Sequence, residues 1–111
     1  MTKAGRGFTG GFAEFQRQAM RIQRRLETLQ EELKTRNQEA AVGGGKVKAV
    51  VSGGKEVVSI HIDPEVVKPE DVAMLQDLVV SAVNAALRKV DEMIDEETNK
   101  VTGGLKIPGL T

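Results

Sequence analysis

Two glycine clusters followed by lysine are the first places in the sequence where chemistry could occur. They read "GGGKV" from Gly43 and "GGKE" from Gly53. A phosphate-binding loop of the form GxxxxGK[ST] needs a Ser or Thr after the lysine to hold Mg²⁺, and it joins a strand to a helix. Val47 and Glu56 occupy that position here. Both clusters are therefore interpreted as tight turns between strands.

The only histidine, His61, is the next candidate, with Ser59 and Asp63 on the same side of a predicted strand. A metal site needs further ligands, and the sequence has no second histidine and no cysteine. A catalytic His61–Asp63 pair would lack the partners that a catalytic constellation requires. We predict a solvent-exposed strand face, with no catalytic site, no bound metal and no cofactor.

Length and composition predict one domain over residues 1–111, because 40% of the residues are hydrophobic and 29% are charged. No apolar run approaches the roughly 20 residues of a membrane span. The N-terminus lacks the apolar region of a signal peptide. The absence of cysteine fits a reducing compartment. We expect a soluble cytoplasmic protein that does not contact a membrane.

The formal net charge is zero, but the charges are unevenly distributed. Between Met1 and Arg25 there are six basic residues against Glu14 alone. Between Glu65 and Glu97 there are nine acidic residues against three basic ones. The neutral total therefore hides a basic first part and an acidic later part.

Apolar residues at alternating spacings of four and three predict a long first helix, from about Gly11 to Thr35, with a flexible arm at residues 1–10 before it. We expect this seam to pack against the second helix, another subunit, or both. Its residues are Phe8, Phe12, Phe15, Ala19, Ile22, Leu26, Leu29 and Leu33.

A second helix is predicted from near Pro69, where Glu70 and Asp71 favour the positive end of the helix dipole. It should end at Gly103–Gly104, since glycine terminates helices. The remaining segment, residues 104–111, contains a proline and is predicted to be a flexible tail.

Alternating β-branched residues predict strands at Lys46–Ser52 and Glu56–Asp63, joined by a hairpin turn at "SGGK". Asn37–Val42 could supply a third strand. The predicted fold is α+β: a long helix, a two- or three-stranded antiparallel meander, and a long second helix. A 25-residue helix is about 37 Å long, too long to lie wholly on so small a sheet. We therefore expect a two-fold homodimer with projecting helical arms.

Four stretches together resemble the YbaB/EbfC family of bacterial nucleoid-associated proteins. They are "FQRQAMRIQRRLETLQEEL", "GGGKVKAVVSGGKEVVSIHIDPEVV", "MLQDLVVSAVNAALRKVDEM" and "TGGLKIPGL", and they span almost the whole chain. The resemblance implies a non-enzymatic, cytoplasmic, nucleoid-associated homodimer shaped like tweezers, whose helical arms engage double-stranded DNA. It also implies a role in chromosome maintenance, because such proteins are often encoded beside replication and recombination genes.

The DNA-contacting residues are chosen by charge and position. Arg17, Arg21 and Arg24 follow an i, i+4, i+7 spacing on the side of the first helix opposite its seam. Arg25 lies beside them, and Lys3 and Arg6 precede them on the predicted arm. On charge pattern alone, these arginines are interpreted as a solvent-exposed helix face whose charge is balanced by nearby glutamates. When the family resemblance is included, contact with DNA phosphates becomes the favoured interpretation.

Two functions follow from these observations. The first is a duplex-DNA-binding homodimer that organises the chromosome or regulates genes. Duplex is favoured over single strands because there is no Trp or Tyr for base stacking and the Phe residues belong to the seam. The alternative is a protein-interaction adaptor whose arms clasp a replication or recombination partner, which the acidic second helix and zero net charge favour.

Overall fold

The computed structural model describes the backbone of residues 2–103 and the side chains of residues 11–103. The chain forms a long helix, three strands and a second long helix, with two short 3-10 turns before the last. This confirms the predicted α+β order, with the three-stranded form of the meander. The elements are α1 (Thr2–Leu33), β1 (Asn37–Val42), β2 (Val47–Ser52), β3 (Val57–Ile62) and α2 (Val72–Thr102), and the 3-10 turns are Pro64–Val66 and Pro69–Asp71.

The first helix begins earlier and ends earlier than predicted. It starts at Thr2 rather than near Gly11. Glycines between these two positions lower the helix propensity there, which is why the sequence favoured a later start. The helix ends at Leu33 rather than Thr35, because the hydrogen bonds that follow join residues three apart, as in a tight turn. The Arg36 N–H donates to the Leu33 carbonyl at 3.1 Å, and the Thr35 hydroxyl donates to the Glu32 carbonyl at 2.9 Å.

The sheet is an antiparallel meander in the order β1-β2-β3. Both glycine clusters form the predicted turns. Gly43, Gly44 and Gly45 all have positive φ, between 62° and 86°, a conformation that favours glycine. In the second turn the left-handed position is taken by Lys55, at φ 63°.

The core lies between α2 and the first two strands. Val47, Ala49 and Val51 of the central strand are fully buried. They pack in one cluster with Ala82, Ala86 and Val90 of α2, where the small alanines let the helix approach the sheet closely. Burial of this apolar surface is the main favourable term of the fold.

Specific caps mark both ends of α2. The Asp71 carboxylate accepts a hydrogen bond from the Met74 N–H at 3.1 Å, so the α-helix begins at Val72, after the 3-10 turn that starts at the predicted Pro69. At the other end Gly103 has φ 65°, and its N–H donates to the Asn99 carbonyl. This left-handed glycine cap is the predicted terminator.

The third strand is exposed along its entire length, because α2 lies across β1 and β2 only. Ile60 and Ile62 pair with Ala49 and Val47, so they share the face that α2 covers elsewhere, as the alternation predicted. Val58 departs from that alternation: Val51 pairs with Val57 and Val50 with Ser59, which leaves Val58 as the extra residue of an irregularity.

The C-terminal half of α1 packs on α2 and on the β2–β3 turn. Leu26 and Leu33 are 8% and 3% exposed. The Gly53 N–H donates to the Arg36 carbonyl at 2.8 Å, and the Arg36 guanidinium donates to Glu97 of α2 at 2.8 Å. The molecule measures 85 × 19 × 17 Å, so much of α1 projects as an arm.

Candidate nucleic-acid interface

The arm begins where α2 ends. Val101, in the last turn of α2, lines a hollow of about 320 Å³ together with residues of α1 from Arg24 to Glu32. N-terminal to this point, nearly all the side chains of residues 11–21 are exposed. This part of α1 is therefore a single helix that can be approached from several sides.

Four arginines line this arm and the start of its packed half. Arg17, Arg21 and Arg24 are exposed and recur at helical spacing, so they form one stripe. From Arg17 to Arg24 the stripe covers about 10 Å of helix axis. Arg25 is exposed beside it. We call these four residues the basic stripe.

One member of the basic stripe has an acidic partner. The Arg17 Nη2 lies 3.0 Å from Glu14 Oε1, and both side chains are more than half exposed. The hydrogen bond from Arg17 and then its positive charge lower the pKa of Glu14, with a smaller contribution from the charge of Arg21. Because the pair is exposed, water and salt screen it, and Arg17 can exchange this carboxylate for a phosphate.

The other three members have no carboxylate within 4.0 Å among residues 11–103. Most cations around the sheet are instead paired: Lys55 with Asp91 at 3.1 Å, Lys48 with Glu39 at 3.6 Å, and Lys46 with Asp63 at 3.5 Å. Lys68, Arg88 and Lys89 also lack such a partner within the described part, although Lys89 donates to the Glu39 carbonyl at 2.8 Å, and these three residues lie outside α1. The unneutralised arginines are thus concentrated on α1.

The acidic stretch of α2, residues 91–97, includes Glu97, which contacts the chain just after α1 through Arg36. Glu97 is only 20% exposed and contacts both Arg36 and Lys100. Hydrogen bonds from Arg36 and then from Lys100 lower the pKa of Glu97. Asp95 and Glu96 are exposed and have no ion pair in the described ranges. The exposed carboxylates of Asp95 and Glu96 and the exposed arginines of the basic stripe thus lie in different parts of the molecule.

The predicted seam divides into a covered and an uncovered part. Leu26 and Leu33 are buried, and Ile22 and Leu29 are half-buried. Phe12 and Phe15 are 57% and 66% exposed, and Met20, which the seam did not include, is 54% exposed. The side chains of the other predicted contacts, Lys3 and Arg6, lie outside the described residues. Sequence reasoning missed Gly53, whose close contact with α1 no local pattern indicates.

The surroundings of His61 have a structural explanation. His61 is exposed and pairs across the sheet with Lys48. The Asp63 carboxylate caps the following 3-10 turn by accepting from the Glu65 N–H at 2.9 Å, which is the main cause of its lowered pKa. A hydrogen bond to Glu65 and the charge of Asp63 raise the pKa of Lys46. Within the described residues, no group of three or more His, Asp or Glu could hold a metal ion.

Comparison with known proteins identifies the family. The sequence profile of the YbaB/EbfC DNA-binding family matches residues 9–105. The chain belongs to the YbaB/EbfC DNA-binding family. This confirms the resemblance found from the sequence.

Relatives of this YbaB/EbfC chain are similar over almost their full length. A nucleoid-associated protein of Acetivibrio thermocellus is 53% identical over 112 residues, covering 99% of both chains. One from Thermoanaerobacter pseudethanolicus is 53% identical over 106 residues, covering 94% of this chain and 96% of the relative. The crystal structure of an uncharacterized protein from Helicobacter pylori superimposes with a TM-score of 0.58 at 27% identity, covering 68% of this chain and 87% of that one.

The helices of this YbaB/EbfC protein are long but strongly polar. Across the part of the chain that the structure describes, no helix has the continuous apolar length needed to cross a bilayer.

Proposed function

We propose that this protein is a non-enzymatic, nucleoid-associated homodimer in the cytoplasm that binds the backbone of duplex DNA through the basic stripe. It would act in chromosome organisation or gene regulation. The observation that carries the proposal is the position of Arg21, Arg24 and Arg25. They are exposed on a projecting helix without carboxylate partners in the described residues, whereas most cations near the sheet are paired.

The geometry of the basic stripe favours phosphates over bases as its ligand. Exposed arginines on one side of a straight helix can follow a strand of phosphates, and such contacts position a protein without reading sequence. The exposed rings of Phe12 and Phe15 lie on the opposite side of the helix, so they cannot stack on bases of the same duplex. We therefore expect weak sequence preference.

The exposed third strand supports a homodimer. Edge strands that stay unpaired are usually protected by charged residues or proline. The edge strand β3, "VVSIHI", has neither, and Ile60 and Ile62 are 39% and 38% exposed. A second copy pairing its β3 about a two-fold axis would continue the sheet and bury these side chains. The assembly would then carry two basic stripes on two arms.

The dimer sets an expected salt dependence. If each stripe reaches three or four phosphates, the dimer reaches roughly six to eight. Counterion release contributes a slope of about −0.9 per phosphate in a plot of log affinity against log salt. We expect a slope of about −5 to −7.

The test is duplex binding by fluorescence anisotropy at several salt concentrations, on two unrelated DNA sequences. Replacing Arg21, Arg24 and Arg25 together by glutamine should weaken binding to both sequences equally and flatten the salt slope. The matched control replaces Lys34, Lys48 and Lys55 by glutamine. It removes the same charge from cations that are ion-paired. Equal losses in the two variants would mean that only net charge matters, and the stripe would not be the interface.

A second candidate is the adaptor function, in which an arm binds a replication or recombination protein. The exposed acidic stretch at Asp95 and Glu96 favours it, because these carboxylates could meet a basic partner surface. If the stripe variant binds duplex DNA as well as the parent at the same salt, this adaptor function becomes the better proposal.

A further inference from the structure

The uncovered part of the α1 seam needs an explanation separate from DNA binding. Leu26 is 8% exposed because α2 covers it, whereas Phe12 and Phe15 are 57% and 66% exposed. Ala19, on the same side of the helix, is also exposed, and Ile22 is half-buried. An apolar face of this kind on a projecting helix indicates a docking surface. We call Phe12, Phe15, Ala19 and Ile22 the arm seam.

The residues beside the arm seam are uncharged, which favours a second copy of the same helix as its occupant. When two helices pair, the positions that flank the seam face each other across the interface and select the partner by charge. In the arm these positions hold Gln16, Gln18 and Gln23, all of them exposed. Two identical arms therefore meet no like charge at their interface, and nothing there selects an acidic or a basic partner.

The sizes of the side chains favour an antiparallel arrangement of the two arms. In antiparallel pairing, Phe15 of one arm lies against Ala19 of the other. Phe12 then lies against Ile22, so each ring faces a smaller side chain. Parallel pairing would place Phe15 against Phe15 and Ala19 against Ala19, which alternates crowding with gaps. The pairing stops near Ile22, because α2 already covers Leu26.

The two arms of one proposed homodimer cannot pair with each other. α2 passes the β2–β3 turn at Ile94, beside Gly53, and reaches the start of the arm at Val101, so the arm projects beyond that end of the sheet. When two β3 strands pair antiparallel, their β2–β3 turns lie at opposite ends of the joined sheet. The two arms then point away from each other. The partner of an arm must therefore come from a second homodimer.

We propose that the arm seam pairs antiparallel with the arm seam of a second homodimer, and that this contact links two DNA duplexes. The second part rests on the proposed function of the basic stripe. Each basic stripe lies on the side of its helix opposite the seam, so the two stripes of a pair face outwards and each can hold its own duplex.

The size of this contact makes it dependent on DNA. It covers residues 12–22, about three helical turns, far fewer than the roughly 20–30 residues per side of a standard stable interface. Free homodimers should therefore stay apart at micromolar concentration. Binding to DNA brings the arms together by raising their local concentration.

A bridging assay on full-length protein tests the proposal. Duplex DNA fixed to beads should capture a second, labelled duplex when the parent protein is added. The variant Phe12→Gln with Phe15→Gln should bind a single duplex with the affinity of the parent, because neither ring belongs to the basic stripe. It should capture the labelled duplex several-fold less. The control Met20→Gln removes an apolar side chain that is 54% exposed but lies outside the seam, and it should capture as the parent does.

Two results of this assay would overturn the proposal. Equal capture by the double variant and the parent would mean that the two stripes of one homodimer suffice for bridging. A loss of single-duplex affinity as large as the loss of capture would mean that Phe12 and Phe15 act in DNA binding itself.

A measurement without DNA separates the arm pairing from the proposed function. The chain has no cysteine, so a single thiol can be placed at Gln18 or at Met20. In the antiparallel pair Gln18 lies close to Gln18 of the other arm, whereas Met20 lies on another side of the helix. At millimolar protein concentration, a short bis-maleimide should link Gln18→Cys subunits several-fold more than Met20→Cys subunits. Equal linking would contradict the arm pairing even if duplex binding held. Selective linking in a protein that bound no DNA would leave the pairing standing and overturn the proposed function instead.

Discussion

Gly53 contacts the carbonyl of Leu33 so closely that no larger residue fits without movement. A Cβ built on Gly53 would lie 1.8 Å from the Leu33 oxygen and 2.6 Å from its carbonyl carbon. The β2–β3 turn thus packs directly on the last turn of α1. The direction in which the arm projects depends on this contact and on the packing of Leu26 and Leu33 on α2.

Gly53→Ala should destabilise the protein, because the atoms it meets belong to the backbone and cannot rotate away. Overpacking of this kind typically costs about 1–3 kcal/mol. Thermal unfolding at fixed protein concentration measures the change. The matched control is Gly54→Ala, where the nearest atom is Ser52 Oγ at 3.6 Å. Equal melting temperatures for the two variants would show that the turn can move without cost.

Ile60→Lys should prevent the proposed dimer, because it places a charge on the edge strand where a second copy would pair. Light scattering should give about twice the 12.0 kDa chain mass for the parent and a smaller mass for the variant. Ala41→Lys is the control, since Ala41 is exposed on the opposite edge strand of the sheet. A folded 12.0 kDa monomer in the parent at micromolar concentration would contradict the homodimer.

His61→Ala should leave the free energy of unfolding within about 0.5 kcal/mol, as for most exposed positions. DNA affinity at matched salt should also be unchanged, because His61 lies on the sheet and not on the arm. Metal analysis of the purified parent should find no stoichiometric metal. A metal that is present in the parent and lost in the variant would show that this strand face has a function we did not assign.

The ion pairs of Glu97 should make stability depend on pH in the acid range. The pKa of Glu97 is lowered from 4.5 by Arg36 and Lys100, so the native state favours the ionised form. This contribution is present above pH 4.5 and is lost as the pH falls through the lower native pKa. The Glu97→Gln variant should therefore be less stable than the parent at neutral pH. On acidification its free energy of unfolding should fall less than that of the parent.

Thermal unfolding as a function of pH measures this effect. Glu96→Gln is the control, because Glu96 is exposed and has no ion pair in the described part of the chain. If Glu96→Gln and Glu97→Gln gave parallel curves of stability against pH, the contact with Arg36 would contribute nothing to the native state.

The sequence by itself determined the elements and their order, because these depend on neighbours close in the chain. The 3.5-residue seam specified α1, alternation specified the strands, and glycines specified the turns and the end of α2. The basic stripe could be predicted for the same reason, since a spacing of i, i+4, i+7 places Arg17, Arg21 and Arg24 together on any helix. The predicted start of α1, near Gly11, was wrong. The low helix propensity of glycine argued against a helix that begins as early as Thr2.

Only the tertiary structure decided which of these residues are covered and which charges are neutralised. The apolar alternation of β3 looked like a buried face, but α2 crosses only two of the three strands, so Ile60 and Ile62 remain exposed. Phe15 and Leu26 are equivalent in the sequence pattern, and they differ because α2 ends between them. The partners of Arg36 and Lys55 are residues of α2, distant in sequence, whereas Arg21 and Arg24 meet no such carboxylate in the described residues. Burial and ion pairing depend on contacts between distant segments, and a local pattern carries no information about them.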